Sequence, residues 1–264
     1  MVGGFAREAE SDDLMRRYWV PRESVQGDEV SLTDDTLHHI RDVCRMHLGY
    51  KFEVIVEGVG AHLVEIVSES KRESRARILE TRAIPELARP HIHLALSIPR
   101  FPVFEAVAEK AVELGVKSIH PFFSEFSFIR TQTDVWDKKL SRFQKIVQGA
   151  TQQSGRGELM TISKPLEMNE LLQTFNRLEG VAGLFAYEGD ARLDAKDGVA
   201  RIAEQKPRDV WIFVGSEGGF SEKEVESFQS VGLTSVTLGQ QVLRVETACV
   251  ALISILKYDL DLMR

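Results

Sequence analysis

A glycine-rich segment that follows an apolar stretch carries the residue types best suited to binding a ligand. The apolar residues 210–214 run directly into the sequence GSEGG at residues 215–219. Glycines let the main chain take positive φ and approach a ligand closely, and Glu217 lies inside the bend, where its carboxylate could face a substrate. The spacing matches neither GxGxxG nor the P-loop pattern GxxxxGK, which argues against a nucleotide-phosphate site. A plain turn into a helix capped by Ser221 and Glu224 explains the glycines equally well.

The same arrangement occurs at the next apolar strand of the pattern. Residues 234–238 end at Gly239, and an irregular stretch then runs through Arg244 to a helix that begins near Glu246 and Thr247. These polar residues can simply satisfy the helix start, where negative charge is favourable, with Arg244 paired to Glu246. Ligands of open parallel sheets bind beyond the carboxyl ends of the strands. Two successive strands that end in glycine loops bearing a Glu or an Arg therefore predict a site.

The remaining reactive residue types give weaker signals. The segment ATQQSGR at residues 150–156 places Arg156 at a glycine-broken helix end, which a C-cap at Gly155 explains. Cys44 and Cys249 lie far apart without CxxC or CxxH spacing, so neither a disulfide nor a structural zinc site is expected. The histidines show no metal-ligand spacing, and no serine lies in a GxSxG elbow. We expect no metal and no hydrolase triad.

Length and composition limit the class of protein. The chain has 264 residues, of which 43% are hydrophobic, enough for a real core and too many for a disordered chain. No apolar run approaches the roughly 18–20 residues of a membrane helix, and the start lacks the order of a secretory signal. The net charge of −7 argues against a sequence-independent nucleic-acid binder but permits RNA contact through a local basic face. We expect a soluble, cytoplasmic protein with no membrane partner.

Two styles of sequence meet near residues 82–90, where two prolines break regular structure. Before this boundary, short alternating stretches predict strands, and a helix is expected after Thr33 with Leu37, Ile40 and Cys44 on one face. The predicted strands cover residues 18–20, 52–56, 62–67 and 74–79. This pattern favours a small β-barrel over an α/β unit.

After residue 90, strand and helix patterns alternate, which predicts an α/β fold with right-handed crossovers and a mostly parallel sheet. The predicted strands cover residues 92–98, 118–123, 181–187, 210–214 and 234–238. The predicted helices cover residues 103–114, 134–153, 221–230 and roughly 246–262.

Several ordered motifs resemble one family. Gly115 closes EKAVELGV, and QQSGR, GSEGGFSEKE and LGQQVLRVETA follow in that order, after an early RYWV strand and the segment HHIRDVCRMHLG. Together they resemble the bacterial 16S ribosomal RNA uridine N3-methyltransferases, which belong to the SPOUT class of S-adenosylmethionine-dependent enzymes. The resemblance covers the chain from Met15 to its last residue.

The resemblance implies a specific architecture and cofactor site. It implies a SPOUT domain with a deep trefoil knot over residues 90–264, a PUA-like RNA-binding barrel over residues 15–86, and a homodimer. Residues 1–14, which precede the resemblance, show no periodic pattern, and we expect them to be a flexible extension. S-adenosylmethionine would lie in the knot. The cofactor-binding residues that the resemblance implies are Gly215, Glu217, Gly218, Gly219, Leu238, Gly239, Val242 and Leu243.

The implied reaction is methylation of N3 of a specific uridine in 16S ribosomal RNA, a step of ribosome biogenesis. Uridine N3 carries a proton and is a poor nucleophile until that proton is removed. Glu217 is a candidate base, with a purely loop-ordering role as the alternative, and Arg244 is a candidate for stabilising the uracil anion. The target base must leave its stack to reach the cofactor.

Arginines on both parts of the chain are candidates for contact with the RNA of the small ribosomal subunit. They are Arg16, Arg17, Arg41, Arg45, Arg100 and Arg156. Two other functions stay open at this stage. One is a different SPOUT reaction, such as ribose 2′-O-methylation, and the other is a catalytically silent RNA-binding factor of ribosome assembly.

The chain departs from the family pattern at four positions. Ser216 and Met160 stand where the family usually has Pro, Gln241 where it has Arg, and Val245 where it has Thr. We expect Ser216 to loosen the glycine loop and the loss of Arg at 241 to remove an RNA or dimer contact.

Overall fold

The structure is a computed structural model that describes residues 16–56, 58–129 and 134–263. The chain divides between Ile84 and Pro85 into two compact units, which are described separately. Among the described helices, none combines the length and apolar character that crossing a membrane requires.

The first unit is built on a six-stranded sheet. Its strands are β1 (Arg17–Val20), β2 (Val25–Gln26), β3 (Glu29–Leu32), β4 (Lys51–Val56), β5 (Gly60–Glu69) and β6 (Ser74–Arg82). They pair in the order β1-β4-β5-β6-β3-β2, and only the β1–β4 pair is parallel. Apolar side chains that alternate along the strands, such as Val54, Val64 and Ala76, fill one core. The four predicted strands are confirmed, whereas the short β2 and β3 escaped the pattern.

The predicted single helix of this unit is two pieces. Helix α1 (Asp34–His38) continues into one π-helical turn over His39–Val43. The side chain of Thr33 makes no cap hydrogen bond. Leu37 and Ile40 are buried as the spacing predicts, but the wider turn leaves Cys44 only half-buried.

The second unit contains an eight-stranded sheet in which every pair is parallel, so the predicted mostly parallel α/β fold is confirmed. The strands run in the order β10-β8-β7-β13-β11-β14-β12, with β9 also beside β8. They are β7 (His91–Ser97), β8 (Ser118–Phe123), β9 (Thr161–Ile162), β10 (Leu166–Glu167), β11 (Val181–Ala186), β12 (Leu193–Asp194), β13 (Asp209–Val214) and β14 (Thr234–Thr237).

Helices cover both faces of this sheet. They are α2 (Phe101–Glu113), α3 (Asp134–Ser154), α4 (Met168–Asn176), α5 (Ala195–Gln205), α6 (Glu222–Ser230) and α7 (Val245–Asp259). Leu94 and Leu96 of β7 point to the core shared with α2, α3, α5 and α7. Ala95 points the other way, to the aromatic core that α4 and α6 cover. This alternation is what strands buried on both faces require.

Two helices, α4 and α5, were absent from the predicted pattern. Helix α5 begins at Asp194, whose side chain accepts a hydrogen bond from the Asp197 amide at 2.8 Å. It contains Gly198, where a Cβ would collide with Val236 of β14. Glycine has a low helix propensity, so it weakens the sequence pattern that predicts a helix. Gly198 is needed because α5 approaches the sheet closely at this position.

Strand order decides what meets at the carboxyl edge of the sheet. The two glycine loops that the sequence singles out follow β13 and β14, but these strands are not neighbours, because β11 lies between them. The loop that follows β11 therefore lies at the same carboxyl edge of the sheet, between the two glycine loops. That third loop was not predicted.

Candidate active site

A cleft of about 580 Å³, including its open mouth, lies at the carboxyl ends of β13, β11 and β14. Three loops and the start of α7 form its walls. The lining residues are Ala186, Tyr187, Glu188, Val214, Gly215, Ser216, Gly219, Val236, Thr237, Leu238, Gly239, Gln240, Gln241, Val242, Leu243, Val245 and Ala248. Its position at the edge predicted from sequence is the usual place for a ligand of a parallel sheet.

The loop after β13 is a tight turn whose inner side lines the cleft. The Gly219 amide donates to the Ser216 carbonyl at 3.0 Å, and Gly219 has a φ of +68°. A Cβ on Gly215 would stand 3.0 Å from the main chain of Gly219, so no side chain fits there without a shift. The turn and ligand-loop interpretations are therefore compatible, since the glycines that close the turn also clear the cleft.

Two of the implied cofactor residues lie on the other side of this loop. Gly218 packs against the side chain of Phe126. Glu217 is exposed, and its Oε1 accepts a hydrogen bond from the Arg100 amide at 3.1 Å, at the amino end of α2. A carboxylate is favoured there by the helix dipole. Neither residue lines the cleft, whereas Gly215, Gly219, Leu238, Gly239, Val242 and Leu243 do.

The contacts of Ser216 argue against the expectation that it loosens the loop. Its side chain is buried, and Oγ donates a hydrogen bond to the Phe126 carbonyl at 2.6 Å. This bond ties the glycine loop to the segment after β8, which is itself fixed by a buried bond of 2.6 Å between Ser97 Oγ and Ser124 Oγ. Where the family has a proline, this chain therefore has a serine that holds the glycine loop through a hydrogen bond to the Phe126 carbonyl.

The loop after β14 offers main-chain groups to the cleft. Gly239 has a φ of +116°, and Gln240–Leu243 make no backbone–backbone hydrogen bond to any other described residue. Val242 is 80% exposed. Free amides and carbonyls beside apolar side chains suit a flat, polar-edged ring such as a purine.

Arg244 occupies the N-cap position of α7 and is exposed. Its neighbours Leu243 and Val245 both line the cleft. Within the described ranges its side chain has no hydrogen bond and no ion pair, so the alternative pairing with Glu246 does not occur. The guanidinium is free to meet an anion at the cleft mouth.

The loop after β11 supplies a residue that the sequence analysis missed. Glu188 lines the cleft, and its carboxylate lies against Gly219 so closely that a Cβ there would collide with it. A signal was available, because a strand followed by Glu188 and Gly189 repeats in small the pattern of strand, Glu and Gly at residues 210–218. What local pattern could not supply is the strand order that brings this end into the site.

The candidate RNA-contacting arginines differ in how free they are. Arg16, Arg45 and Arg100 are exposed. Arg17 is bonded through Nε to Glu53 at 2.7 Å. Arg41 is bonded through Nε to the carboxylate of Asp42, the next residue of the π turn, at 3.0 Å. Arg16 is hydrogen-bonded to Tyr18 and Cys44, so Arg45 and Arg100 are the more available for phosphate.

The structure argues against RNA contact for Arg156. Its side chain is buried, and Nη1 donates to the Val116 carbonyl at 2.7 Å. Burial lowers the pKa of Arg156 to about 10, opposed by Glu158, whose Oε1 lies 3.8 Å from Nη2. The guanidinium joins the end of α3 to the turn before β8, which is an internal structural role.

The histidines of the second unit lie in the amino-terminal halves of the strands, away from the cleft. Ser118 Oγ is hydrogen-bonded to both His93 Nδ1 and His120 Nε2 at 2.6 Å. The ring of His120 packs on Trp211 with centroids 4.3 Å apart. Burial, reinforced by His93, lowers the pKa of His120 to about 4. The described residues contain no group of three His, Cys, Asp or Glu side chains able to hold a metal.

The chain matches known proteins over most of its length. Residues 85–257 match the family model of the RNA methyltransferase domain. The chain is 30% identical over 223 residues to ribosomal RNA small subunit methyltransferase E of Mesomycoplasma hyopneumoniae, covering 84% of this chain and 91% of that protein. It is 26% identical over 255 residues to the Bacillus subtilis protein of the same name, covering 95% and 99%.

A solved structure shares the fold. Ribosomal RNA small subunit methyltransferase E from Neisseria gonorrhoeae, bound to S-adenosyl methionine, superposes with a TM-score of 0.79 and 27% identity, over 92% of this chain and 97% of that one. The family model covers well over half of this chain, and the relatives match it along nearly their full length. The chain therefore belongs to the RNA methyltransferase family, together with the ribosomal RNA small subunit methyltransferases E.

Proposed function

We propose that this protein is an S-adenosylmethionine-dependent methyltransferase that modifies N3 of a uridine in the 16S RNA of the small ribosomal subunit. The observation that carries the proposal is the glycine-lined cleft at the carboxyl edge of the sheet, in a family whose Neisseria gonorrhoeae member was solved with this cofactor. A substrate of this kind implies a cytoplasmic enzyme.

The residues of the cleft fit the cofactor. Gly215 and Gly219 line the cleft with their main chain, and only glycine fits at either position, because a Cβ on Gly215 would meet the Gly219 main chain and one on Gly219 would meet the Glu188 carboxylate. Leu238, Val242 and Leu243 supply an apolar wall, and the unpaired main-chain groups of residues 240–243 supply donors and acceptors beside it. A purine nucleoside with a short charged tail needs such a mixture.

S-adenosylmethionine supplies, when bound, an electrophilic methyl group on a positively charged sulfur. The chain must then hold uracil N3 in line with that methyl group and favour loss of the N3 proton. Arg244 is free, cationic and adjacent to two cleft residues, so we assign it the stabilisation of the uracil anion.

We propose that Glu217 acts as the base after a change in its side-chain conformation. Its carboxylate accepts the Arg100 amide and faces α2, so it would have to leave that bond to reach a substrate. Glu217→Gln keeps the shape and removes the basicity. A large loss of turnover with unchanged cofactor affinity supports a base, whereas unchanged turnover restricts Glu217 to ordering the loop.

We propose that the first unit, residues 15–86, is a PUA-like RNA-binding domain. The mostly antiparallel six-stranded sheet and its single apolar core support this. Among its candidate arginines Arg45 is the most available, since Arg16 is hydrogen-bonded to Tyr18 and Cys44, and Arg17 and Arg41 are bonded to carboxylates. In the second unit, Arg100 lies beside Glu217 and is a further candidate for a phosphate.

We propose a trefoil knot over residues 90–264 and a homodimer. In support of the knot, the chain passes from β13 across β11 to β14, turns through the cleft loop and enters α7, which packs on both α2 and α5.

In support of the dimer, Tyr258 on α7 is 78% exposed, which is unusual for a large aromatic residue. Light scattering in solution tests the dimer.

Methyl transfer from labelled S-adenosylmethionine to small ribosomal subunits that lack the modification tests the function. Digestion and nucleoside identification should give 3-methyluridine. A methyl group on ribose would indicate another reaction of the same fold. Cofactor binding without transfer to subunits or to their naked RNA would indicate a silent assembly factor.

A further inference from the structure

We infer that Glu188 binds the positive charge of the cofactor and makes the cleft selective for a cationic ligand. The inference rests on the proposed function and adds to it a specificity-determining residue after β11. Three observations carry it: the position of the carboxylate, its lack of a partner, and the charge of the walls around it.

The position of Glu188 follows from strand order. Because β11 lies between β13 and β14, the residue after its end is flanked by both glycine loops. The Glu188 carboxylate lies directly against Gly219, whose φ of +68° and missing side chain make room for it. A ligand cradled by the glycine loop would therefore meet this carboxylate.

Glu188 has no counterion in the described part of the chain. No hydrogen bond or ion pair joins its side chain to any described residue. Of the charged residues that follow Glu188 in the chain, Arg192 bonds to Gln229 at 2.9 Å, and Asp190 does not line the cleft. Glu188 is exposed and lines the cleft, so its unpaired carboxylate is available for a ligand cation.

Glu188 is the one charged side chain among the described residues that line the cleft. S-adenosylmethionine carries a sulfonium, an ammonium and a carboxylate, for a net charge of +1, whereas its product S-adenosylhomocysteine has lost the sulfonium charge. A single negative charge facing a net positive ligand attracts it and orients it. If the sulfonium is the partner, the same charge also favours exchange of product for fresh cofactor.

Calorimetric titration of S-adenosylmethionine and S-adenosylhomocysteine into the unaltered protein and into Glu188→Gln tests the inference. We expect the substitution to weaken S-adenosylmethionine about tenfold and to flatten the salt dependence of its affinity. Weakening of S-adenosylmethionine alone identifies the sulfonium as partner, and equal weakening of both ligands identifies the ammonium. Asp190→Asn, which removes an exposed carboxylate two residues away, should leave both affinities unchanged.

Two results would overturn the inference in distinguishable ways. Equal affinities of Glu188→Gln and the unaltered protein for both ligands would refute the role of Glu188 alone. Failure of the unaltered, folded protein to bind S-adenosylmethionine would refute the proposed function and this inference with it. Thermal unfolding of each variant separates a binding effect from loss of fold.

Discussion

The two edges of the parallel sheet both carry ionisable and polar side chains, but they use them differently. At the amino edge, Ser118 bonds two histidines and Trp211 stacks on one of them, so the polar groups satisfy one another. At the carboxyl edge, the side chains of Glu188 and Arg244 have no partner among the described residues, and a cleft lies between the loops that carry them. Polar groups with unused bonding capacity beside an open space are what a ligand site requires.

The same comparison extends to the serines. Ser118 serves the packed edge, whereas Ser216 holds the glycine loop in place from outside the cleft by its bond to the Phe126 carbonyl. The carboxyl edge therefore combines a rigid outer support with an inner surface left free. Preorganisation of this kind lowers the ordering cost of binding a ligand.

The largest effect should come from Gly219→Ala, which would displace the Glu188 carboxylate from its place against the glycine loop. Alanine at a φ of +68° is strained, and its Cβ collides with the Glu188 carboxylate. We expect affinity for S-adenosylmethionine to fall about 100-fold or more, equivalent to about 2.7 kcal/mol. Isothermal calorimetry measures it.

Gly232→Ala is the matched control for backbone strain. Gly232 has a φ of +82° with open space around it and lies outside the cleft. We expect a stability loss of about 1 kcal/mol and unchanged cofactor affinity. Equal losses of cofactor affinity in the two variants would show that backbone strain, and not the position of Gly219 in the cleft, causes the effect of Gly219→Ala.

The amino edge should respond to pH through stability. His120 has a folded pKa of about 4 against 6.5 for an unperturbed histidine, so between these values the unfolded chain binds the extra proton. The free energy of unfolding should be constant above pH 6.5 on this account and fall as pH decreases toward 4, by about 1.4 kcal/mol per pH unit at most.

Urea unfolding at pH 7 and pH 4.5 measures this effect. His120→Gln, which keeps a polar group near Ser118 but does not titrate, should reduce the difference between the two pH values. A His120→Gln protein with the full pH dependence of the unaltered chain would assign that dependence to other groups.

A smaller effect is expected from Ser216→Ala, which removes the outer tether of the glycine loop. One neutral hydrogen bond contributes about 1 kcal/mol, so cofactor affinity should fall about fivefold. Ser227→Ala removes a similar bond from a half-buried serine of α6 to the Lys223 carbonyl and should leave affinity unchanged. An unaffected Ser216→Ala would show that packing alone holds the loop.

The smallest effect concerns RNA. Arg45→Gln should weaken binding of the substrate RNA modestly and reduce the slope of log affinity against log salt by about 1, as loss of one phosphate contact requires. Filter binding over a salt series measures it. Arg177→Gln, an exposed arginine at the end of α4, serves as the control, and equal slopes for Arg45→Gln and the unaltered chain would remove Arg45 from the interface.

Local pattern predicted much of this molecule, because apolar periodicity and glycine placement are local properties. Strand β8 was predicted with its observed bounds, Ser118–Phe123, and both glycine loops were assigned to one sheet edge. Strand order is not local, so the insertion of β11, and with it Glu188, could not be predicted. Arg156 was misassigned for a related reason, since its partner is the distant Val116 carbonyl.

Hydrogen–deuterium exchange with and without S-adenosylmethionine tests the contrast between the two edges most directly. We expect the cofactor to protect amides in residues 215–219, 187–189 and 238–244, while the amides around His93, Ser118 and His120 exchange unchanged. Protection confined to the amino edge, or none at saturating cofactor, would contradict the assignment of the carboxyl edge as the methyl-transfer site.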